Sequence, residues 1–254
     1  TERVVSVGGD GTNHEVVNGF FDPDRRVPIA PDAIFSFTAM GTGGDLGRTF
    51  VPATDLSAQL HRIATSDATK IDLIACTSTT DAGPLWELSV NIASIGQGGD
   101  VCARVDTSVA KSIGGGAPFL LASLESLVAT KPWRVRLSIN DRPAREQKAR
   151  NVIVANCRFH GGGMEVAPQA LPDDGELDLV VIGGLSRLAM VRLSRDIYRG
   201  KLQKHAGVTH ERVKKLRVEV LPGERTMRLE MDGEARGVAP VTFEVLPKAL
   251  RLAR

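Results

Sequence analysis

The sequence predicts an α/β nucleotide-binding domain up to about residue 68, followed by a larger β-rich domain over residues 69–254. Two observations indicate the first domain: the apolar runs Arg3–Val7 and Ile34–Phe37 each lead into a glycine-rich loop and then a helix start. A third indicates the second domain, because short strands dominate the chain from Trp133 onwards. In Arg134–Ile139 charged and apolar residues alternate, as expected of a strand with one solvated face.

The first glycine-rich loop, Gly8-Gly9-Asp10-Gly11-Thr12, has the composition of a phosphate-binding turn. Its glycines are expected to take positive φ and to turn several N–H groups towards one point. Thr12 or Asn13 is the expected N-cap of the next helix, whose apolar residues recur at helical spacing: Val16, Val17, Phe20 and Phe21. A helix N-terminus behind such a loop favours an anion. Asp10 would repel that anion, so its presence indicates a metal or a proton transfer.

A second loop of the same design, Gly41-Thr42-Gly43-Gly44-Asp45, follows the strand Ile34–Phe37. Two such loops at the ends of successive α/β strands lie side by side at the sheet edge where ligands bind. Neither loop ends in the Gly-Lys-Ser/Thr of a Walker A sequence or has dinucleotide-binding spacing. The pair therefore predicts a nucleotide or phosphate crevice of another kind.

The remaining elements are predicted from periodicity and turn residues. Residues 55–66 form an amphipathic helix with Leu56, Leu60 and Ile63 inward, and Gly96 to Asp100 opens a helix that runs to Lys111. Two further helices are predicted, at Pro118–Thr130 and Leu185–Gln203. The predicted strands are Ile71–Cys76, Trp86–Ile92, Trp133–Ile139, Asn151–Ala155, Leu177–Ile182, Val213–Val220, Thr226–Met231 and Val241–Leu246.

Composition limits the classes of function. A formal charge of +2 and an aromatic content of 4% argue against a nucleic-acid partner. The widely separated Cys76, Cys102 and Cys157 fit neither a metal site nor a redox pair, which indicates a reducing, cytoplasmic compartment. No apolar run has membrane-spanning length, so any contact with the inner membrane face is expected to be peripheral.

Three later clusters carry polar chemistry, each with a plainer alternative. The loop Asn156–Met164 contains His160 and three glycines, and is either a phosphate contact or a bulged hairpin turn. The acidic run Leu171–Asp178 suits a hard cation such as Mg²⁺, or is an exposed Asp-Gly turn. Asp232-Gly233-Glu234 presents two carboxylates that could serve as a general base, or is a hairpin turn.

The helix predicted at Leu185–Gln203 is basic on one side. Leu188, Val191 and Tyr198 form an apolar stripe along it. This pattern is typical of a solvated basic face over core residues, and also of a helix that lies on an anionic membrane. Its cations are Arg187, Arg192, Arg195, Arg199, Lys201 and, just beyond it, Lys204.

Taken in order, these sequences resemble the diacylglycerol kinase catalytic-domain family, in particular its soluble bacterial lipid kinases, which are related to sphingosine kinases. The resemblance covers essentially the whole chain. The matching segments are Gly8–Thr12, Gly41–Asp45, Asn156 with Gly161–Met164 and Pro168, Asp173–Asp178, and Asp232–Glu234.

The resemblance implies a two-domain fold with ATP in a cleft between an α/β domain and a β-sandwich-like domain. It implies transfer of the γ-phosphoryl group to a lipid hydroxyl, with Asp232 and Glu234 as the general base and Asp10 organising catalytic Mg²⁺. A structural Mg²⁺ would be held by Asp174 and by the backbone carbonyls of Leu171 and Glu176. The ATP-binding residues it implies are Gly8, Gly9, Asp10, Gly11, Thr12, Asn13, Gly41 and Thr42.

Two departures from the family pattern qualify these expectations. The family usually has Asn where this chain has Gly44, and it begins with a further strand–helix segment, so the ATP-binding domain is expected to be N-terminally incomplete. An NAD kinase-like enzyme with a soluble substrate, and a catalytically inactive protein that binds nucleotide or lipid, are the alternatives. The sequence identifies neither the lipid nor the oligomeric state, for which a homodimer is one candidate.

Overall fold

The computed structural model describes residues 2–40, 44–51, 55–107 and 131–253. Its helices are α1 Asp10–Asn18, α2 Asp45–Phe50, α3 Leu56–Thr65, α4 Gln97–Thr107 and α5 Arg187–Asp196. Its strands are β1 Arg3–Gly8, β2 Phe21–Asp22, β3 Val27–Pro28, β4 Ile34–Ala39, β5 Ala68–Thr80, β6 Gly83–Ser89, β7 Ile92–Gly96, β8 Trp133–Ile139, β9 Arg145–Ala149, β10 Asn151–Ala155, β11 Phe159–His160, β12 Met164–Glu165, β13 Leu177–Ile182, β14 Val208–Val213, β15 Lys215–Val220, β16 Arg228–Met231 and β17 Glu234–Ala253.

One 13-stranded sheet connects the two predicted parts of the chain through strand β17. This 20-residue strand pairs antiparallel with β5, β15 and β16, and near its C-terminal end it pairs parallel with β4. Strands β1 and β4 are parallel to each other, as expected of the α/β part. The predicted fold, an α/β unit followed by a β-rich unit, is confirmed, while the boundary near residue 68 stays a prediction.

The core follows the alternation of the strands. In β8, Trp133, Val135 and Leu137 are fully buried, while Arg134 and Arg136 between them are exposed. These side chains belong to a cluster that fills the β-rich part. A second cluster, with Phe35 and Phe37 of β4 fully buried, fills the α/β part. Burial of one face of each strand therefore explains both units.

Three strands, β8, β10 and β13, begin and end as predicted. Two other predicted strands are each divided, and a polar side chain accounts for each break. The strand predicted at Trp86–Ile92 divides because the N–H groups of Val90 and Asn91 turn to a buried carboxylate, that of Asp232. The strand predicted at Val213–Val220 divides because the side-chain oxygen of Asn140 accepts from the N–H groups of Lys214 and Lys215.

The helix predicted at Leu185–Gln203 is shorter than expected. Helix α5 ends at Asp196, a 3₁₀ turn follows at Ile197–Arg199, and Gly200 then takes a left-handed φ of 63°. A second 3₁₀ turn covers Leu202–Lys204. The chain leaves the helix at Gly200 because this residue tolerates the left-handed conformation that ends a helix.

Helix α3 confirms the prediction for residues 55–66 but not all of its inward residues. Ile63 is buried, whereas Leu56 and Leu60 are 47% and 50% exposed, which corrects that part of the prediction. The second inward residue is Gln59, whose side-chain oxygen accepts from the N–H of Ala39 in β4. The helix at Pro118–Thr130 and the end of the one predicted to reach Lys111 lie outside the described residues. No described helix is long and apolar enough to cross a membrane.

Candidate active site

The first glycine loop forms the N-terminus of helix α1. This helix begins at Asp10, with Gly9 as its N-cap, and not after Thr12 or Asn13 as predicted. No side chain caps it, so the first N–H groups of the helix are left for another acceptor. Such an uncapped end is suited to an anion such as a phosphate group.

The glycines of this loop serve close packing, not positive φ. Gly9 has φ of −91°, and neither Gly8 nor Gly11 is among the glycines with positive φ, which corrects the expected reason for them. A Cβ atom at position 8 would lie 2.5 Å from the Thr12 hydroxyl oxygen. A Cβ atom at position 11 would lie 2.7 Å from Oε1 of Glu234. Any larger residue at position 11 would therefore displace the Glu234 carboxylate.

Two aspartates connect the three glycine loops through backbone N–H groups. Asp10 accepts from the N–H groups of Asp45 and Leu46 at 3.1 and 3.2 Å, at the start of helix α2. Asp45, which is buried, accepts in turn from Gly162 and Gly163 at 2.8 and 2.7 Å. The predicted meeting of the first two loops thus extends to the third, which lies in the hairpin of β11 and β12.

Burial raises the pKa of Asp10 above its ordinary value, and the nearby charges of Asp45 and Asp232 raise it further. The N–H groups of Asp45 and Leu46 oppose this rise. A cation bound beside Asp10 would offset the repulsion among these carboxylates. The donor set therefore fits a metal ion that arrives with an anionic ligand.

Gly44, the departure from the family pattern, is the N-cap of helix α2 with φ of 59° and ψ of 28°. This left-handed conformation is the one that glycine adopts without strain and that asparagine adopts more readily than most other residues. The backbone here consequently suits either residue. Gly41 and Thr42, predicted at the nucleotide, lie outside the described residues.

Asp232 is buried and fully engaged by the protein. Its carboxylate accepts from Ser89 Oγ at 2.6 Å and from His14 Nδ1 at 2.9 Å. It also accepts from the N–H groups of three consecutive residues, Val90, Asn91 and Ile92, at 3.1, 3.0 and 3.2 Å. Burial raises the pKa of Asp232, but the hydrogen bonds and the charge of His14 more than offset this, so the pKa falls below its ordinary value. This arrangement holds the carboxylate as an anion.

His14 links Asp232 to a second acid. Its Nδ1 and Nε2 lie 2.9 Å from Asp232 and 3.1 Å from Oε1 of Glu87, and the ring is fully buried. Burial lowers the pKa of His14, but the two carboxylates outweigh that effect and raise the pKa to about 9. The imidazole is therefore a cation at neutral pH, and the three side chains form a buried acid–base–acid bridge between α1, β6 and the turn after β16.

Glu234 differs from Asp232, although only Gly233 separates them. Its side chain is partly exposed, and no described residue forms a hydrogen bond or a close ion pair with its carboxylate. Its carboxylate lies against Gly11, in the first turn of α1. Arg236, which donates to Glu15 at 2.6 Å, contributes positive charge nearby. Of the predicted pair, Glu234 is the one whose oxygens remain available to a ligand.

A third carboxylate, that of Glu230, accepts a hydrogen bond from the turn Asp232-Gly233-Glu234. It is fully buried and accepts from Ser94 Oγ and from the N–H of Gly233, both at 2.7 Å. His160 Nε2 lies 3.6 Å from it, so the histidine of the third glycine loop faces an acid within the protein. The loop itself is the hairpin turn of the plainer alternative, with positive φ at Gly161, Gly162 and Gly163.

The acidic run 171–178 lies apart from these contacts and is neutralised by the protein. Asp174 accepts from the N–H of Glu176 at 3.1 Å and from Arg212 Nη2 at 2.5 Å. Arg212 also lies 3.6 Å from Oε2 of Glu176. Each carboxylate oxygen of Asp174 thus has one protein donor, and Arg212 supplies a positive charge that a Mg²⁺ ion there would have to tolerate or displace. Magnesium held by Asp174 and by the backbone carbonyls of Leu171 and Glu176 stays a prediction.

Within the described ranges, no three His, Cys, Asp or Glu side chains are placed to hold a metal ion on their own. Sequence reasoning missed His14, Glu87, Ser89 and Glu230 as parts of the site. His14 and Asp232 are 218 positions apart, so no local spacing could connect them. The sequence does show that polar residues interrupt apolar segments, and such residues need hydrogen-bond partners when they are buried.

Two family models match the chain. Residues 1–76 match "Diacylglycerol kinase catalytic domain", and residues 93–254 match "YegS C-terminal NAD kinase beta sandwich-like domain". A protein of Xanthomonas axonopodis pv. citri named "Probable lipid kinase YegS-like" is 29% identical over 252 residues, 98% of this chain and 77% of that protein. A "Diacylglycerol kinase" of Staphylococcus haemolyticus is 25% identical over 240 residues, 94% of this chain and 67% of that protein.

The fold is also similar to that of a solved structure. A crystal structure of a diacylglycerol kinase from Bacillus anthracis str. Sterne superposes with a TM-score of 0.67 at 19% sequence identity. The match covers 99% of this chain and 76% of the other. At this identity the likeness concerns the arrangement of strands and helices.

Proposed function

We propose that this chain, which belongs to the family of YegS-like lipid kinases and diacylglycerol kinases, transfers the γ-phosphoryl group of ATP to the hydroxyl group of a lipid alcohol. The observation that carries the proposal is the contact between Glu234 and Gly11. It sets a carboxylate without a described hydrogen-bond partner against the uncapped N-terminus of a helix, where phosphate groups bind. Phosphoryl transfer to a hydroxyl group requires a general base close to the site that binds the phosphate groups.

ATP phosphates would lie at the N–H groups of the first turn of α1, between Gly9 and Asn13. A Mg²⁺ ion bound with ATP would supply charge neutralisation, and Asp10 is the carboxylate placed to hold it. Mg²⁺ commonly binds through one or two carboxylates together with phosphate oxygens, which agrees with the lack of an all-protein metal cage in the described residues. Asp10 also fixes the start of α2, so it aligns two loops on the same ligand.

Glu234 would accept the proton of the lipid hydroxyl, while Asp232 would position it. The five donors on Asp232 leave it little capacity to act as a base, and its lowered pKa makes it a weak one. They do fix the turn Asp232-Gly233-Glu234, in which Asp232 takes a left-handed φ of 51°. A rigid turn keeps the base within reach of the phosphate site.

The test is phosphoryl transfer by the purified chain from Mg²⁺–ATP to diacylglycerol in mixed micelles, with a second assay that replaces the lipid by NAD. We expect Mg²⁺-dependent lipid phosphorylation, reduced about 100-fold or more in Glu234→Gln. The matched control is Glu244→Gln on the same strand, whose acid is half-exposed and pairs with Lys215 on the surface. Its turnover should equal that of the wild type.

Three outcomes would contradict the proposal. Phosphorylation of NAD in place of the lipid would favour the NAD kinase-like alternative. The description of the second family model also names an NAD kinase-like β-sandwich. ATP binding without turnover, both in this chain and in one extended at its N-terminus, would favour a binding protein. Full activity of Glu234→Gln would exclude Glu234 as the base.

A further inference from the structure

Helix α5 and the turn after it present an apolar stripe to solvent. Leu188, Val191 and Tyr198 are 62%, 57% and 42% exposed. The core contacts of this segment come from the opposite side, where Met190, Leu193 and Ile197 are buried. The stripe is therefore not the core-facing side of the helix, and the burial of Met190 and its neighbours does not account for it. Three aligned exposed apolar side chains indicate an interaction surface.

The same surface is strongly basic. The exposed cations beside the stripe are Arg192, Arg195, Arg199, Lys201 and Lys204. In the described part of the chain, none of them forms an ion pair with a carboxylate. The single acid of the segment, Asp196, lies 3.2 Å from His205 Nε2 and is engaged within the protein. The positive charge of the surface is consequently left for an external anion.

This surface borders the candidate active site. Gly200, at the end of the segment, packs against Glu165 and Pro168, next to the third glycine loop. Burial raises the pKa of Tyr198, and the charge of Asp45 raises it further. Asp45 is the residue that holds Gly162 and Gly163. The stripe thus runs from solvent towards the loops of the site.

We propose that this face, defined by Leu188, Val191 and Tyr198 with Arg192, Arg195 and Arg199, rests on an anionic phospholipid surface. Exposed apolar side chains flanked by arginines match an interface with an apolar interior and negative headgroups. A second copy of the chain matches less well, because a two-fold contact would bring two sets of like charges together. The choice of a lipid surface rests on the proposed function, which requires access to a lipid substrate.

The test is sedimentation with vesicles of phosphatidylcholine alone and of phosphatidylcholine with about 30% phosphatidylglycerol, whose headgroups give the surface a negative potential. We expect the chain to bind the anionic vesicles and to be released by high salt. The double variants Leu188→Ser/Val191→Ser and Arg192→Gln/Arg195→Gln should each bind about tenfold more weakly. The matched control is Leu56→Ser/Leu60→Ser on helix α3, which removes two leucines that are also about half exposed and should bind as the wild type does.

Equal binding to both vesicle types, or unchanged binding of the two α5 variants, would overturn the proposal. A monomer–dimer equilibrium that shifts in these variants while vesicle binding does not would assign the face to a second copy. Binding does not depend on turnover, so its result is separate from that of the kinase assay. If the chain phosphorylates lipid, both α5 variants should keep their activity on a water-soluble short-chain diacylglycerol and lose several-fold on vesicles.

Discussion

Two acidic regions of this molecule neutralise their carboxylates in different ways. At the candidate active site, the described donors to Asp10 are backbone N–H groups, while Asp45 accepts from two backbone N–H groups and from Arg48 at 3.3 Å. In the run 171–178, Asp174 meets Arg212, and Asp178 lies 2.5 Å from His210. In the second region the carboxylates pair with cationic side chains, whereas the described donors to Asp10 carry no net charge.

The two kinds of donor differ in how much repulsion between carboxylates they remove. Backbone N–H groups fix the position of a carboxylate but carry no net charge, so the repulsion between Asp10 and Asp45 remains. A guanidinium removes that repulsion and occupies the space of a metal ion at the same time. The comparison therefore leaves the carboxylate of Asp10 with more uncompensated negative charge around it than that of Asp174.

The largest expected effect follows from removing the most heavily bonded acid. Asp232→Ala leaves five donors, one of which is the buried His14 cation, without this acceptor, so we expect a loss of about 3–5 kcal/mol in the free energy of unfolding. Asp174→Ala, in the partly exposed acidic run, should cost less than about 1 kcal/mol. Urea unfolding followed by circular dichroism measures both. Equal losses would show that the two regions do not differ as described.

A pH dependence should follow from His14. Its pKa is about 9 in the folded protein against an ordinary value of 6.5, so its stabilising contribution is complete below pH 6.5 and is lost as the pH rises through 9. A shift of this size corresponds to on the order of 3 kcal/mol. Urea unfolding between pH 6 and about 9.5 should show this decline in the wild type and not in His14→Asn. A flat profile for the wild type would mean that the imidazole is neutral.

A smaller effect is expected for the link between the second and third glycine loops. Asp45→Asn replaces one acceptor oxygen by a donor facing Gly162 or Gly163, which should cost about 1–3 kcal/mol. The hairpin of β11 and β12 should loosen, and hydrogen exchange at the amides of these glycines should accelerate. Asp24→Asn, at an exposed turn, is the control and should change neither quantity. Unchanged exchange in Asp45→Asn would remove Asp45 as the connection between the loops.

The smallest effect concerns magnesium at the acidic run. In the wild type, millimolar Mg²⁺ should change the melting temperature little, because Arg212 already neutralises Asp174. In Arg212→Gln that carboxylate becomes available, and Mg²⁺ should raise the melting temperature by a few degrees, about 1 kcal/mol in stability. A wild type stabilised by Mg²⁺ as much as the variant would restore the magnesium site that the sequence predicts.

The sequence predicted well what depends on periodicity. Strands such as Trp133–Ile139 were located to the residue because one face is apolar throughout. Reasoning failed where a distant side chain decides the local structure, as when Asp232 interrupts the strand predicted at Trp86–Ile92. It also failed where an apolar residue is not buried, as with Leu56 and Leu60 of α3. Both failures have one cause, since tertiary contacts do not appear in a local pattern.

The site was predicted in its parts and not in its connections. The glycine loops and the Asp232-Gly233-Glu234 turn were recognised as polar features at strand ends. That Glu234 lies against Gly11, and that Asp232 is held by His14, depends on pairing between opposite ends of the chain. Such contacts follow only once the sheet topology is known.

The position of strand β17 late in the chain affects how the protein folds during its synthesis. It carries Glu234 at its first residue and pairs with β4, β5, β15 and β16, which come from most of the length of the chain. A nascent chain on the ribosome has made both early glycine loops long before this strand emerges. Until then the edges of β4, β5 and β15 that β17 will cover lack their partner, and such long-range pairing is slow. The period of greatest exposure to aggregation therefore ends only when the last twenty or so residues of the described chain leave the exit tunnel.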